Sequence, residues 1–244
     1  MGHSGLFKSK GVRLEARGVT KVYKTAAEEV HALREVDWDV APGEAVAIMG
    51  PSGCGKSTLM NLVGGVDRAT GGTILIDGMD LTAATERHLE KHRLLKVGFV
   101  FQFFNLVPTM TAFENLELPM MVAGLAEREC RERARALLEI VGLAEKGNKR
   151  PDELSGGEQQ RVGVTLALAN DPALILADEP TGNLDARNAD IISELLVSLA
   201  RDYGKTVVMV SHDPKSVAHF PVEYAMRDGR FVSLEDEMPR SARR

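Results

Sequence analysis

One segment restricts this chain more than any other. Gly50-Pro51-Ser52-Gly53-Cys54-Gly55-Lys56-Ser57-Thr58 fits the pattern G-x-x-x-x-G-K-[ST]. A short apolar run, Ala45 to Met49, precedes it and reads as a buried strand; Ser57 to Val63 follows with helical character. In that strand–loop–helix setting, glycines let backbone N–H groups turn inward around a phosphate. The helix N-terminus adds a partial positive end. Lys56 is expected to reach the β- and γ-phosphates of a nucleotide, and Ser57 to offer its hydroxyl to Mg²⁺. Gly50, Ser52, Gly53, Gly55 and Thr58 complete the expected cradle. Cys54 stands at a variable position and reads as an unremarkable side chain rather than a redox switch.

Strand signals recur along the chain: Val12 to Val22, Val30 to Val40, Thr73 to Ile76 and Val97 to Phe101. Ala173 to Ala177 and Thr206 to Val210 are continuous apolar runs, as expected of parallel strands buried on both faces. Thr85 to Leu95 reads as a helix. So does the stretch carrying Ile191, Ile192, Leu195, Leu196 and Leu199 on one face. Strands alternating with helices predict an α/β fold. From Pro108 to Ala169 the pattern is mostly helical, which predicts an inserted second lobe over about 103–169. The nucleotide-binding core is then expected at 10–102 and 170–235, with a loose tail at 236–244.

Leu174-Ile175-Leu176-Ala177-Asp178-Glu179 is an apolar strand ending in two carboxylates. Ligands bind at the carboxyl ends of parallel strands. Asp178 is therefore expected to serve Mg²⁺. Glu179, pointing the other way by strand alternation, could polarise an attacking water. His212 follows the strand Thr206 to Val210, within reach of a γ-phosphate or that water. Gln102 ends the strand Val97 to Phe101 and could touch Mg²⁺ or water. Tyr23 could stack on an adenine ring; a tyrosine packed within its strand is the equal alternative.

Leu154-Ser155-Gly156-Gly157-Glu158-Gln159-Gln160-Arg161 is the most distinctive segment. Ser155 and Glu158 form a capping box at the start of an apolar helix. Two glycines in a first turn weaken a helix, however, and make sense where backbone must approach something closely. A helix start with a hydroxyl and no side-chain bulk suits an anion. Two phosphate-binding features for one nucleotide suggest an arrangement of two chains.

With these motifs in this order, the chain resembles the ATP-binding cassette (ABC) ATPases from about Val12 to Val232. The resemblance implies a P-loop NTPase of ABC-ATPase type: a RecA-like α/β core, a β-strand subdomain and an inserted α-helical subdomain. It gives Tyr23 as the aromatic A-loop residue, Gly50 to Thr58 as Walker A and Gln102 as the Q-loop. It also gives Leu154 to Gln159 as the signature, Leu174 to Glu179 as Walker B, Asp185 as the D-loop aspartate and His212 as the switch histidine. In that family two cassettes pair head to tail. Ser155 and Gly157, with Gly156, Glu158 and Asp185 beside them, would then face the ATP held by the other chain. Val30-His31-Ala32-Leu33 and Ala177 to Asp185 further resemble the lipoprotein-release (LolD-like) and macrolide-export (MacB-like) subgroup. After Arg161-Val162 that subgroup usually continues with an arginine where Leu166 stands here, which puts one polar contact of the helix in doubt.

Composition narrows the partners. Lys plus Arg is 30 against 35 Asp plus Glu, a net charge of −5, which argues against nucleic-acid binding through bulk charge. Two cysteines make neither a disulfide framework nor a four-ligand zinc site. No apolar run approaches the roughly 20 residues of a membrane span, and Met1 to Lys10 has no signal-peptide core. The expectation is a cytoplasmic ATPase homodimer that needs ATP and Mg²⁺. It would sit peripherally on the inner face of the membrane and dock an integral-membrane permease through the segment after Gln102. The alternative is a soluble ABC ATPase acting outside transport.

Overall fold

The computed structural model describes residues 6–24 and 28–234; the expected tail at 236–244 lies outside them. Two sheets organise the chain. The first is antiparallel, in the order β2-β1-β4-β5, built from β1 (Leu14–Lys24), β2 (Glu29–Val40), β4 (Gly71–Ile76) and β5 (Met79–Asp80). The second has the order β10-β9-β3-β8-β7-β6. Its members are β3 (Ala45–Met49), β6 (Val97–Phe101), β7 (Leu174–Asp178), β8 (Thr206–Ser211), β9 (Val222–Arg227) and β10 (Arg230–Val232). All its pairings are parallel except β9 with β10.

The central strands are apolar throughout because both faces are covered. Ala45 and Ala47 of β3 join one core cluster, while Val46 and Ile48 join the other. In β7, Ile175 and Ala177 face the first cluster, and Leu174 and Leu176 the second. The first cluster is filled from the helical side by α3 (Ala112–Val122), α4 (Glu127–Ile140), α5 (Gly156–Ala167) and α6 (Ala186–Tyr203). The second is closed by the antiparallel sheet, α1 (Lys56–Val63) and Leu89 of α2 (Glu86–Leu95). Of the helices, α3, α4 and α5 all lie between β6 and β7 in the chain.

Element boundaries move little from the sequence reading, and β3 and β6 do not move at all. The short α7 (Pro214–Val217) and the β9–β10 hairpin are additions. Asp228-Gly229, with φ of 48° and 76°, joins the two hairpin strands. Such a pair is a two-residue hairpin signal that could have identified them. Phe101 closes β6 with its ring exposed and stacked on Phe99 at 5.6 Å between centroids.

Candidate active site

Strand register brings the predicted residues together. Met49 pairs with Ser211, Val210 with Asp178, and Asp178 with Phe101. Four parallel strands thus end level, and the loops beyond them carry Lys56, His212, Glu179 and Gln102. This is the carboxyl-end crevice where α/β sheets bind ligands.

The loop after β3 wraps the start of α1. Gly55, with φ 112°, is the N-cap of that helix and no side chain caps it. A Cβ there would lie 2.5 Å from the Ala32 carbonyl of β2, so only glycine fits. A cavity of about 270 Å³ opens on this bare helix end, lined by Ser52, Gly53, Gly55, Lys56, Ser57, Thr58 and Glu179, with Val30 to Ala32 as a wall. Gly50 has a different duty: a Cβ there would strike the Met226 carbonyl of β9 at 2.2 Å. Lys56 is buried, its Nζ donating to the carbonyls of Gly50 at 2.7 Å and Pro51 at 3.0 Å.

The two carboxylates face different partners, for a reason other than strand alternation. The Ser57 hydroxyl donates to Asp178 Oδ1 at 3.0 Å. Burial pushes the Asp178 carboxyl above its usual range, against the opposing effect of that hydroxyl. Hydroxyl and carboxylate oxygens are hard donors suited to Mg²⁺, which takes few protein ligands beside substrate oxygens and water. No cluster of three or more acidic, histidine or cysteine ligands exists among the described residues; the Ser57–Asp178 pair offers oxygen donors of the kind such an ion takes. Glu179 does not follow strand alternation. The strand stops at Asp178, and Glu179 takes φ 48°, a left-handed conformation costly for a non-glycine residue. Its N–H donates to the Val210 carbonyl at 3.0 Å.

That turn delivers the Glu179 carboxylate to His212. Oε2 lies 3.0 Å from His212 Nδ1 and accepts from the Ser211 hydroxyl at 3.2 Å and the His212 N–H at 3.3 Å. Oε1 stands 3.9 Å from Lys56 Nζ, on the phosphate-loop side. A carboxylate fixed at one oxygen and open at the other can orient a water. Ser211 was not anticipated; its place immediately before His212 at a strand end was the available signal. Gln102 lines a neighbouring cavity of about 290 Å³ with Ser57, Asp178 and Glu179. Tyr23 lines neither cavity. Its ring is exposed, with Lys21 Nζ 4.7 Å from the centroid, and its hydroxyl donates to Asp67 at 2.9 Å.

The structure does not bring Ser155, Gly156, Gly157, Glu158 or Asp185 to these cavities. Ser155 caps α5, accepting from the Glu158 N–H, while Glu158 Oε2 accepts from the Ser155 N–H at 2.9 Å. Lys146 binds the other oxygen at 2.5 Å, and this ion pair with the Ser155 bond holds the Glu158 carboxyl down to about 2. The two glycines differ. Around Gly156 the nearest atom to an added Cβ is Phe104 Cζ at 3.9 Å, whereas at Gly157 it would meet Asn188 Oδ1 at 2.2 Å. The open-space explanation therefore holds for Gly156 alone.

The segment after Gln102 is also divided. Phe103 is 71% exposed. Leu106 is half-buried against the helix-side core, and Phe104 lies against Gly156 and Gly163 of α5. A largely apolar groove of about 480 Å³ runs beside it, lined by Phe99, Phe101, Val107, Leu118, Val122 and Leu166 among others.

Known proteins share this sequence and fold. The sequence profile of the ABC transporter family matches residues 33–182. An uncharacterized ABC transporter ATP-binding protein of Thermotoga maritima is 47% identical over 91% of this chain and 94% of its own length. The lipoprotein-releasing system ATP-binding protein LolD of Hyphomonas neptunium is 41% identical over 90% of this chain and 96% of its own. The dimeric post-hydrolysis structure of the ATP-binding cassette MJ0796 with ADP and Pi superposes with a TM-score of 0.83. It is 41% identical, over 90% of this chain and 97% of that one. The chain belongs to the ABC transporter family, as an ATP-binding and ATP-hydrolysing cassette of the kind that dimerises and pairs with a membrane permease.

Proposed function

We propose that this cassette hydrolyses MgATP in a head-to-tail dimer. Each nucleotide would be held between the Gly50–Thr58 loop of one chain and the Ser155–Gly157 turn of the other. The observation that carries this reading is the pair of helix starts: α1 is uncapped beside Lys56, while α5 is self-capped, exposed and away from that cavity. Lys56 and the loop amides bind phosphate. Ser57 and Asp178 hold Mg²⁺, with Gln102 close by; the ion would neutralise developing charge on the phosphates. Glu179 accepts a proton from the attacking water, and His212 keeps its carboxylate in place. Tyr23 contacts the base from the C-terminal end of β1.

The proposed work is mechanical, on an inner-membrane permease of the lipoprotein-release type, from the cytoplasmic face. No helix among the described residues is long and apolar enough to cross a membrane, so the permease would supply the anchorage. Its contact would be the groove lined by Phe101 and Val107, with the helical lobe of about 103–169 relaying force to the core. Val122 is 66% exposed on the groove wall, so Val122→Asp should leave the fold and basal ATPase within about twofold, as surface changes do. The same change should abolish co-purification with membrane permease subunits, and any stimulation by them. Retained co-purification would remove the groove from the reading. Full activity with no membrane partner at all would favour a soluble role.

A further inference from the structure

Asn188 occupies the first turn of α6, three residues after its cap, Asp185. Its backbone N–H donates to Asp185 Oδ1 at 2.9 Å, and its Nδ2 donates to Oδ2 at 2.7 Å. The backbone bond alone satisfies a helix cap. The second bond does something further: it fixes the amide plane, with Oδ1 turned toward α5. There an added Cβ on Gly157 would fall 2.2 Å from Oδ1 and 2.4 Å from Cγ. Real Cβ atoms do not approach so closely, so an alanine at 157 would push the Asn188 amide away from its bond to Asp185. One half-buried side chain thus spans two exposed elements, the loop ending in Asp185 and the turn beginning at Ser155.

We propose that Asn188 is a positioning residue for ATP-driven dimerisation. It fastens Asp185 to the signature turn of its own chain, so that both are presented to the other cassette as one rigid unit. The inference rests on the reading above, in which the Ser155–Gly157 turn faces the partner's nucleotide. Two separately mobile loops would each lose freedom on closure, and that entropy opposes association. A preformed link removes part of the cost. Asn188 lines neither of the two cavities around Lys56 and Glu179, so it leaves nucleotide binding by a single chain alone.

The test uses the full chain carrying Glu179→Gln, with dimer mass followed by light scattering as MgATP is titrated. Asn188→Ala should raise the ATP concentration for half-maximal dimerisation about tenfold, the order of one hydrogen bond to a carboxylate. In the otherwise unchanged enzyme the KM for ATP should rise by a similar factor with kcat nearly kept. ADP affinity of the single chain should stay within about twofold. Asn188→Asp keeps the shape and loses the donor, so it should fail as the alanine does. Gly157→Ala should also impair dimerisation, and adding Asn188→Ala should cancel the extra penalty, because the clash partner is gone. Wild-type ATP dependence in Asn188→Ala or Asn188→Asp would overturn the proposal. An additive double variant, or an equal loss of ADP affinity and melting temperature, would also overturn it. If Glu179→Gln alone fails to dimerise, the two-chain reading is at fault and the inference falls with it.

Discussion

Two helix starts in this chain carry glycine-rich sequences that read as phosphate sites, and they are finished in opposite ways. At α1 the cap is Gly55, no side chain satisfies the first N–H groups, and a cavity opens directly on them. At α5 the cap is Ser155, Glu158 closes the box, and Lys146 holds Glu158 in turn. The first turn of a helix leaves four donors without intrahelical partners. Where the chain leaves them bare, an anion completes the structure. Where a cap satisfies only the Ser155 and Glu158 N–H groups and the turn lies away from the cavity, that turn is free to serve another chain's site. The contrast separates two jobs: α1 with its carboxylates should govern binding and turnover, and α5 should govern assembly.

The largest expected effect tests the first job. Glu179→Gln keeps the shape of the carboxylate but cannot take a proton. ATP turnover should fall at least about 100-fold, the usual contribution of a general base, with nucleotide binding retained. A steady-state phosphate-release assay checks it, and wild-type turnover would remove Glu179 from the base role. Lys56→Ala comes next. Losing a charged contact to phosphate costs about 1.5–3 kcal/mol, so ATP affinity should fall roughly 10- to 100-fold by titration of a fluorescent nucleotide. Unchanged affinity would mean that the bare helix end and loop amides suffice.

The smallest effect belongs to the capped end. Glu158 has its carboxyl held down to about 2 by Lys146 and Ser155. A depressed carboxylate contributes stability above its unfolded value and loses it as pH falls through its folded value. Glu158→Gln should therefore cost about 1 kcal/mol at pH 7, a modest figure because Lys146 is exposed and its charge screened. That difference should fade between about pH 4.5 and 2. Denaturant unfolding of both proteins across that range reads it directly. A pH-independent difference would point to lost cap geometry rather than the ion pair.

Much of this site was legible because its chemistry is local. The phosphate loop, its flanking strand and helix, and the strand ending in Asp178 are consecutive residues, and their spacing alone predicts what lies where. Legibility failed wherever a distant neighbour decides. Strand alternation misplaced Glu179, since the chain leaves the strand and turns left-handed to reach Ser211 and His212. The pair Gly156 and Gly157 reads as one feature in sequence, yet α6 fills the space at one and not the other. Leu106 and Phe103 are both apolar and three residues apart; only tertiary contact shows that one packs against the core and the other is exposed. Asn188 was missed altogether, because its second partner lies 31 residues earlier, on another helix.

The central claim is that the capped end serves the other chain's nucleotide. Light scattering of the Glu179→Gln chain with MgATP, with and without Ser155→Arg, tests it most directly. Ser155 is exposed and Gly156 beside it is open, so the arginine has room in a single chain and none against a partner. Glu179→Gln should give a species of twice 26.5 kDa. Adding Ser155→Arg should leave a species of 26.5 kDa with single-chain ATP affinity unchanged. An ATP-dependent dimer that persists with the arginine in place would contradict it and leave Ser155 as a helix cap and nothing more.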